Sequence, residues 1–350
     1  MKNIHVIGIS HQTAPIEIRE KFYLTATEQD LFLSELKSHP AVLEAFVMST
    51  CNRTEVFLRV LEGFDPFNDI FDLLVGIKAI KAHQSLFKLF YCFRDRLAVR
   101  HLFSLATGME SLILGERQIL GQLKAAIERA QKRGMFGKNF NILTNVAIRT
   151  GKKAQTETDI SFGGLSVSWA ALAKAGKEIG DLSDKEILVI GAGKMSKLTV
   201  GGLRHRKFKK LYLMNRTQAK AKDLADKMEG EAVGFCDIKE ILSKVDVGIC
   251  ASSAPHYILD KETVEKILPA RQNRRLLLID ISIPRNIDPL IAQLPSIDLY
   301  EIDDLKEVVD QNKQRRKNAV KEVKEIIDSK LAEFYEKITA PSFQALANGD

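Results

Sequence analysis

The chain has 350 residues, a formal net charge of +7, 45% hydrophobic residues and 28% charged ones. That balance fits a folded globular protein of two or three domains, and excludes a disordered, collagen-like or membrane-spanning chain. No apolar run approaches the roughly 18 residues of a bilayer span, and MKNIHVIGIS reads as a first strand without the zones of a signal peptide. Cys51, Cys92, Cys236 and Cys250 are scattered and form no CxxC. Neither a disulfide framework nor a metal site is expected, and a reducing, cytoplasmic compartment fits.

In chain order, residues 1–158 come first. NIHVIGIS is a strand. Thr25 and Glu28 have capping-box spacing ahead of Leu31, Phe32 and Leu36, which predicts a helix start. AFVMST is a strand that stops at Cys51, and TEVFLRV is another. Strand, helix, strand, strand predicts a small α+β domain, followed by a helical stretch from Leu97 to Lys153. Residues 1–158 hold 21 Lys and Arg against 16 Asp and Glu, so most of the excess positive charge lies there.

Residues 159–302 form a second unit. EILVIGAGKMSKL is an apolar strand, a glycine turn and a helix start. KLYLMNRT, DVGICASS and LLLIDISIP are further strands, and alternation with helices predicts an α/β, doubly wound, Rossmann-type parallel sheet. Residues 303–350 are a helical tail. Leu305, Val308, Val309, Asn312, Arg316, Ala319, Val323, Ile326, Ile327, Phe334 and Ile338 fall near a three-four spacing. A helix over 303–338 would run roughly 54 Å and needs a partner for its stripe. A homodimer seam is expected, with packing back on its own chain as the alternative.

Gly191-Ala192-Gly193-Lys194-Met195-Ser196 lies between a strand and a helix start. The first glycine permits the tight turn. The second lets the backbone approach a pyrophosphate at the helix N-terminus, and Ser196 is small enough for close packing. The next strand ends in Asn215-Arg216-Thr217, where an NAD site would usually place an acid. A guanidinium can pair with a 2′-phosphate, so the pattern favours NADPH.

Ser49-Thr50-Cys51-Asn52-Arg53-Thr54-Glu55 joins two apolar strands. Composition alone makes Cys51 a small buried hydrophobe, the reading that Cys92, Cys236 and Cys250 also receive. Arg53 two residues on is expected to lower the thiol pKa toward a reactive thiolate. A thiol and a hydride carrier in one chain point to acyl reduction: a thioester carbonyl accepts hydride where a carboxylate resists it, and collapses to an aldehyde with thiolate leaving.

Several motifs together resemble the glutamyl-tRNA reductase family. They are GISHQTAPIEIRE, MSTCNRTEVF, HLFSLATGMESLILGERQILGQLKAAIERA, GAGKMS, MNRT and IDISIPRNID, spanning nearly the whole chain in order. The resemblance implies that Cys51 attacks the ester joining glutamate to tRNA(Glu). The tRNA then leaves as an alcohol, and NADPH reduces the thioester to glutamate 1-semialdehyde. It implies that His101 assists acid–base steps, with a plain helix-end residue as the alternative. Thr50, Asn52, Arg53, Ser111, Glu116, Arg117, Gln118 and Gln122 match substrate-binding positions. Arg53 is the candidate partner of the glutamyl side-chain carboxylate, and Glu116 of the substrate ammonium. Ser166 and Ser168 resemble family serines near the cofactor, or cap a helix. Ser196 stands where the family commonly has glycine, and the C-terminal region is shorter than is common.

A tRNA partner needs phosphate contacts. Candidates are Lys124, Arg129, Lys132, Arg133, Lys138, Lys152 and Lys153, and a second cluster of Lys313, Arg315, Arg316 and Lys317. Solvated helix faces are the plainer reading of both, and no stacking RNA module is visible. The family and the lability of the aldehyde also imply a partnership with the aminomutase that consumes it. Two other readings remain open: a dehydrogenase of the shikimate kind, which gives Cys51 no task, and a silent NADPH-sensing protein.

Overall fold

The computed structural model describes residues 2–81, 84–161, 166–204, 206–305 and 313–339. It divides into two compact units, Met1–Leu165 with Asn312–Asp350, and Ser166–Gln311.

In the first unit, strands β1 (Ile4–Ser10), β2 (Val42–Ser49), β3 (Arg53–Val60) and β4 (Tyr91–Arg94) form an antiparallel sheet in the order β2-β3-β1-β4. Around it run α1 (Ile16–Phe22), α2 (Ala26–Ser38), α3 (Phe67–Ile77), α4 (Gln84–Phe87), α5 (Arg96–Ala106), α6 (Gln118–Lys132) and α7 (Lys138–Glu157). The predicted cap of α2 is present. Thr25 Oγ accepts the Glu28 amide at 3.3 Å, and the Glu28 carboxylate accepts the Thr25 amide at 2.7 Å. The helical stretch is three helices, broken at 107–117, where Gly108 and Gly115 take φ of +80° and +76°, and at 133–137, where Gly134 takes φ +70°. Phe46 stacks on Phe57 at 4.4 Å in the core, and Phe22, Phe32, Phe103 and Phe140 are fully buried.

The tail corrects an expectation. Residues 303–305 lie outside the last helix, which covers Lys313–Thr339. Asp304 instead accepts the Glu301 amide at 2.7 Å, which turns the chain there. The apolar stripe is not left for a second chain: Ala319, Val323, Ile327, Leu331, Phe334 and Ile338 are buried in the core of the first unit. Phe334 meets Phe103 at 6.1 Å, and Arg100 pairs with Asp328 at 2.6 Å. Each large apolar side chain so buried stabilises by roughly 1.5–3 kcal/mol, enough to hold the helix on its own chain. The predicted seam positions Val308, Val309 and Asn312, and the side chain of Arg316, lie outside the described residues.

In the second unit, β5 (Glu186–Ile190), β6 (Lys210–Met214), β7 (Glu231–Val233), β8 (Val247–Cys250), β9 (Leu276–Asp280) and β10 (Ile297–Glu301) make a parallel sheet ordered β10-β9-β8-β5-β6-β7. Helices α8 (Val167–Ile179), α9 (Lys194–Leu203), α10 (Gln218–Asp226), α11 (Ile238–Lys244) and α12 (Lys261–Arg271) connect and cover it. With the tail helix as α13, the chain steps outward from β5 through β7 and returns to β8 beside β5. That reversal opens a crevice at the carboxyl ends of β5 and β8.

Candidate active site

β2 and β3 pair with Ser49 opposite Thr54, and the Thr50 amide donates to the Arg53 carbonyl at 2.8 Å. Cys51 therefore sits at the tip of a hairpin. Neighbouring chain fixes the tip: the His11 amide donates to the Asn52 carbonyl at 2.9 Å, and Arg19 Nη1 to the Cys51 carbonyl and Asn52 Oδ1, both at 3.3 Å. The Asn52 amide donates to Thr50 Oγ at 3.2 Å. Arg19 belongs to the quoted APIEIRE motif, but the sequence reading gave it no role. Only the fold shows that α1 brings it to the nucleophile loop.

The expectation about the thiol is reversed. Burial, the largest influence, pushes the Cys51 thiol up to about 12, and the Glu116 carboxylate adds to the rise. Arg19 and Arg53 pull the other way and do not prevail. Arg53 is itself buried and already neutralised: Nη1 pairs with Glu55 Oε1 at 2.9 Å, and Nη2 donates to the Glu110 carbonyl.

Arg53 and Glu55 are two residues apart on β3, so they share a face. In register, Gly8 on β1 lies opposite both Glu55 on β3 and Tyr91 on β4. A Cβ on Gly8 would lie 2.6 Å from the Thr54 carbonyl oxygen and 2.8 Å from Glu55 Cγ. Without one, the Glu55 carboxylate and the Tyr91 hydroxyl meet across the strand. His101, inside α5 rather than at its end, brings Nε2 to 2.7 Å from Glu55 Oε1. Burial would raise the Glu55 carboxyl, but Arg53 and His101 hold it down to about 2. Glu55 and Tyr91 were missed by the sequence reading. The Glu of STCNRTE was a visible signal, whereas Tyr91 was not, because β4 is partly exposed and shows no fully buried apolar run.

The segment between α5 and α6, with the start of α6, supplies the next group. Ser111 and Glu116 are buried, Gln118 and Gln122 half-buried, and Arg117 exposed. Glu55 Oε2, Ser111 Oγ and Gln118 Nε2 are buried with no hydrogen-bond partner among the described residues. Cys51 and Cys92 are half-buried, Cys250 is buried and Cys236 exposed.

In the second unit, Gly191 takes φ +113°, and a Cβ there would lie 2.4 Å from the Ala251 carbonyl oxygen. Ser196 is fully buried and donates to that same oxygen at 2.8 Å, so serine is accommodated at this position. A Cβ on Gly193 would meet nothing within 4 Å, and no side chain caps α9, which Lys194 and Met195 begin. The open helix N-terminus, at the carboxyl end of central strand β5 beside β8, fits a cofactor pyrophosphate. Asn215 donates to the Thr217 carbonyl at 3.0 Å; Arg216 is exposed, with no ion pair among the described residues. Ser166 caps α8 through the Trp169 amide at 3.2 Å, and Ser168 holds the Met195 carbonyl at 3.1 Å.

Of the basic candidates, Arg129 and Arg133 pair with Asp30, Lys132 with Glu128 and Lys153 with Glu157. Lys124 and Lys152 are exposed and form no ion pair among the described residues. The side chains of Lys313, Arg315, Arg316 and Lys317 lie outside the described residues. No helix among the described residues is long and apolar enough to cross a membrane.

Residues 7–158 match the family model for the glutamyl-tRNAGlu reductase N-terminal domain, and residues 172–308 that of shikimate / quinate 5-dehydrogenase. A glutamyl-tRNA reductase of Pelotomaculum thermopropionicum is 37% identical over 98% of this chain and 78% of its own length. That of Bacillus subtilis is 37% identical over 95% of this chain and 73% of its own. The solved glutamyl-tRNA reductase of Methanopyrus kandleri is 32% identical with a TM-score of 0.54, covering 97% of this chain and 81% of that one.

Proposed function

The chain belongs to the glutamyl-tRNA reductase family, and from that premise we propose that it reduces glutamate esterified to tRNA(Glu) to glutamate 1-semialdehyde. This is the first committed step of the C5 route to tetrapyrroles such as porphyrins. The observation that carries the reading is the setting of Cys51. It stands at a hairpin tip near the segment of Glu116, in which the buried Ser111 Oγ and Gln118 Nε2 lack partners among the described residues. An unsatisfied buried polar group costs about 1–3 kcal/mol, and a bound aminoacyl group with its carboxylate and ammonium would supply the missing partners.

The Cys51 sulfur attacks the ester carbonyl, the thiol gives up its proton, and the tRNA departs as an alcohol, leaving a glutamyl thioester. Because the resting thiol is protonated, the proton must be taken as the carbon–sulfur bond forms. His101 is the acid–base group and Glu116 a neighbouring carboxylate. Thr50, Asn52, Ser111, Gln118 and Gln122 orient the aminoacyl end, with Arg117 at the exposed rim. The Arg53 N–H groups not spent on Glu55 and Glu110 meet the substrate's side-chain carboxylate. NADPH, when bound at Gly191–Ser196 with Ala192 in the turn and Arg216 on its 2′-phosphate, supplies the hydride that converts the thioester to aldehyde and frees the thiolate.

Lys124 and Lys152 are the first choices for tRNA phosphate contacts. The protein works in the cytoplasm as a homodimer, with its seam elsewhere than the buried stripe of α13, and hands its labile aldehyde to an aminomutase. Incubation with glutamyl-tRNA without NADPH should leave a glutamyl mass on the Cys51 peptide. Cys51→Ser should form no adduct and no semialdehyde while still binding NADPH; full activity in that variant would refute the covalent route. The shikimate / quinate 5-dehydrogenase match over 172–308 favours a second reading, hydride transfer with a small free metabolite. Turnover of such a metabolite, with glutamyl-tRNA left untouched, would establish it.

A further inference from the structure

Glu55 is fully buried, and three donors converge on one of its oxygens. Arg53 Nη1 lies 2.9 Å from Oε1, His101 Nε2 lies 2.7 Å from it, and the Tyr91 hydroxyl donates to it as well. One guanidinium and one carboxylate leave the cluster neutral when the imidazole is neutral. The Arg53 guanidinium, the first of the lowering influences, keeps the carboxyl ionised. An ionised carboxylate has no proton to donate and can only accept. His101 Nε2 must therefore carry the hydrogen in this contact, which leaves Nδ1 with the lone pair. Phe57, Tyr91 and Phe93 surround the ring at centroid distances of 6.3, 5.8 and 4.9 Å and hinder its turning over.

We infer that Glu55 is a positioning residue that fixes His101 in the Nε2–H tautomer, so that His101 exchanges protons with the reacting groups through Nδ1. The inference rests on the proposed acyl transfer to Cys51. A buried ion pair alone would be weak grounds, because well-packed apolar residues often stabilise as much. Here, however, the sheet also omits a side chain at Gly8 to admit the carboxylate. When Nδ1 takes a proton, the ring becomes an imidazolium whose charge faces Glu55. Returning that proton to the departing tRNA oxygen restores the neutral ring, and no proton passes to the carboxylate.

The direct test is nitrogen NMR of the full-length protein labelled in its seven histidines, with His101 assigned from the spectrum of His101→Asn. Once the ring is neutral, the expected result is a protonated Nε2 and a bare Nδ1; the opposite tautomer, with the hydrogen on Nδ1 and Nε2 bare, would overturn the inference. In turnover, Glu55→Gln should lower kcat by about 10²-fold with KM for glutamyl-tRNA little changed. A raised KM at unchanged kcat would count against it. If Glu55→Gln fails to fold, the wild-type spectrum decides alone. A wild type unable to reduce glutamyl-tRNA would bring down the functional reading and the role of Nδ1 with it. A wrong tautomer in an active wild type would bring down this inference alone.

Discussion

Glu55 in the first unit and Asp280 in the second are almost sealed from solvent, at 0% and 1% exposure, and each accepts several hydrogen bonds. Their partners differ in kind. Glu55 faces a guanidinium, an imidazole and a phenol and is held down to about 2. Asp280 accepts the backbone amides of Ser282, Asn286 and Ile287 at 2.9, 2.7 and 2.8 Å. Burial nevertheless pushes its carboxyl up to about 6, because those amides only partly offset the loss of water. Neutral donors, the three amides and the Ser282 side chain, do not replace hydration, whereas a full opposite charge does. Each carboxylate suits its place. Glu55 stays charged and can orient a neighbour. Asp280 shapes the turn after β9, where Asn286 in turn holds the carbonyls of Ala254 and His256 at 2.8 and 3.1 Å.

The sharpest way to break this contrast is Gly8→Ala. The added methyl would meet the Thr54 carbonyl, which is backbone in a paired strand and cannot step aside. Overpacking of this sort costs about 1–3 kcal/mol, and here it also pries Glu55 from Tyr91 and His101. Activity should be lost and the melting temperature lowered. Gly201→Ala, with nothing within 4 Å of its Cβ, should hold or raise stability by about 0.5–1 kcal/mol as a helix-interior replacement. If Gly8→Ala behaved like Gly201→Ala, the proposed cradle for Glu55 would be wrong.

Acid should act on the two carboxylates with opposite sign. The folded Glu55 value lies below its unfolded one, so its contribution is present above roughly pH 4.3 and lost as pH falls toward 2. The folded Asp280 value lies above its unfolded one. Its contribution is therefore full below roughly pH 3.9 and lost as pH rises through about 6. Trp169, the chain's only tryptophan, stands on α8 and reports on the second unit alone. Its urea midpoint should show a decline in stability on the order of 2 kcal/mol from pH 4.5 to pH 7, and Asp280→Asn should flatten that decline. An equal slope in both would show that Asp280 is ionised throughout.

The same contrast explains what the sequence could and could not reveal. The capping box at Thr25, the glycine turn before α9 and the strands β5, β6, β8 and β9 follow from local pattern, because their signals lie within a few residues. Strand β7 has three residues, and β4 and β10 are partly exposed along most of their length, so none shows the fully buried apolar run that marks β8. Cys51 was legible by motif, but its electrostatics were not. Whether Arg53 serves the thiol or Glu55 depends on which residues share a strand face, and on Gly8 from a distant strand. The stripe of α13 was equally visible, yet period alone does not say whether a helix packs on a second chain or on its own first unit.

The smallest effect expected concerns the thiol. With its pKa near 12, Cys51 should alkylate slowly in the free enzyme at pH 7, well after exposed Cys236. Glu116→Gln removes the negative charge that adds to the rise, so thiolate becomes easier to form and Cys51 should react faster. The gain should stay under about tenfold, one pKa unit, because burial is the larger cause and remains. Peptide mass mapping after iodoacetamide treatment separates the sites. Should Cys51 in the wild type react as fast as Cys236, the sulfur would be a ready thiolate before substrate arrives. His101 would then have no thiol proton to take, and its task would shrink to protonating the departing tRNA oxygen.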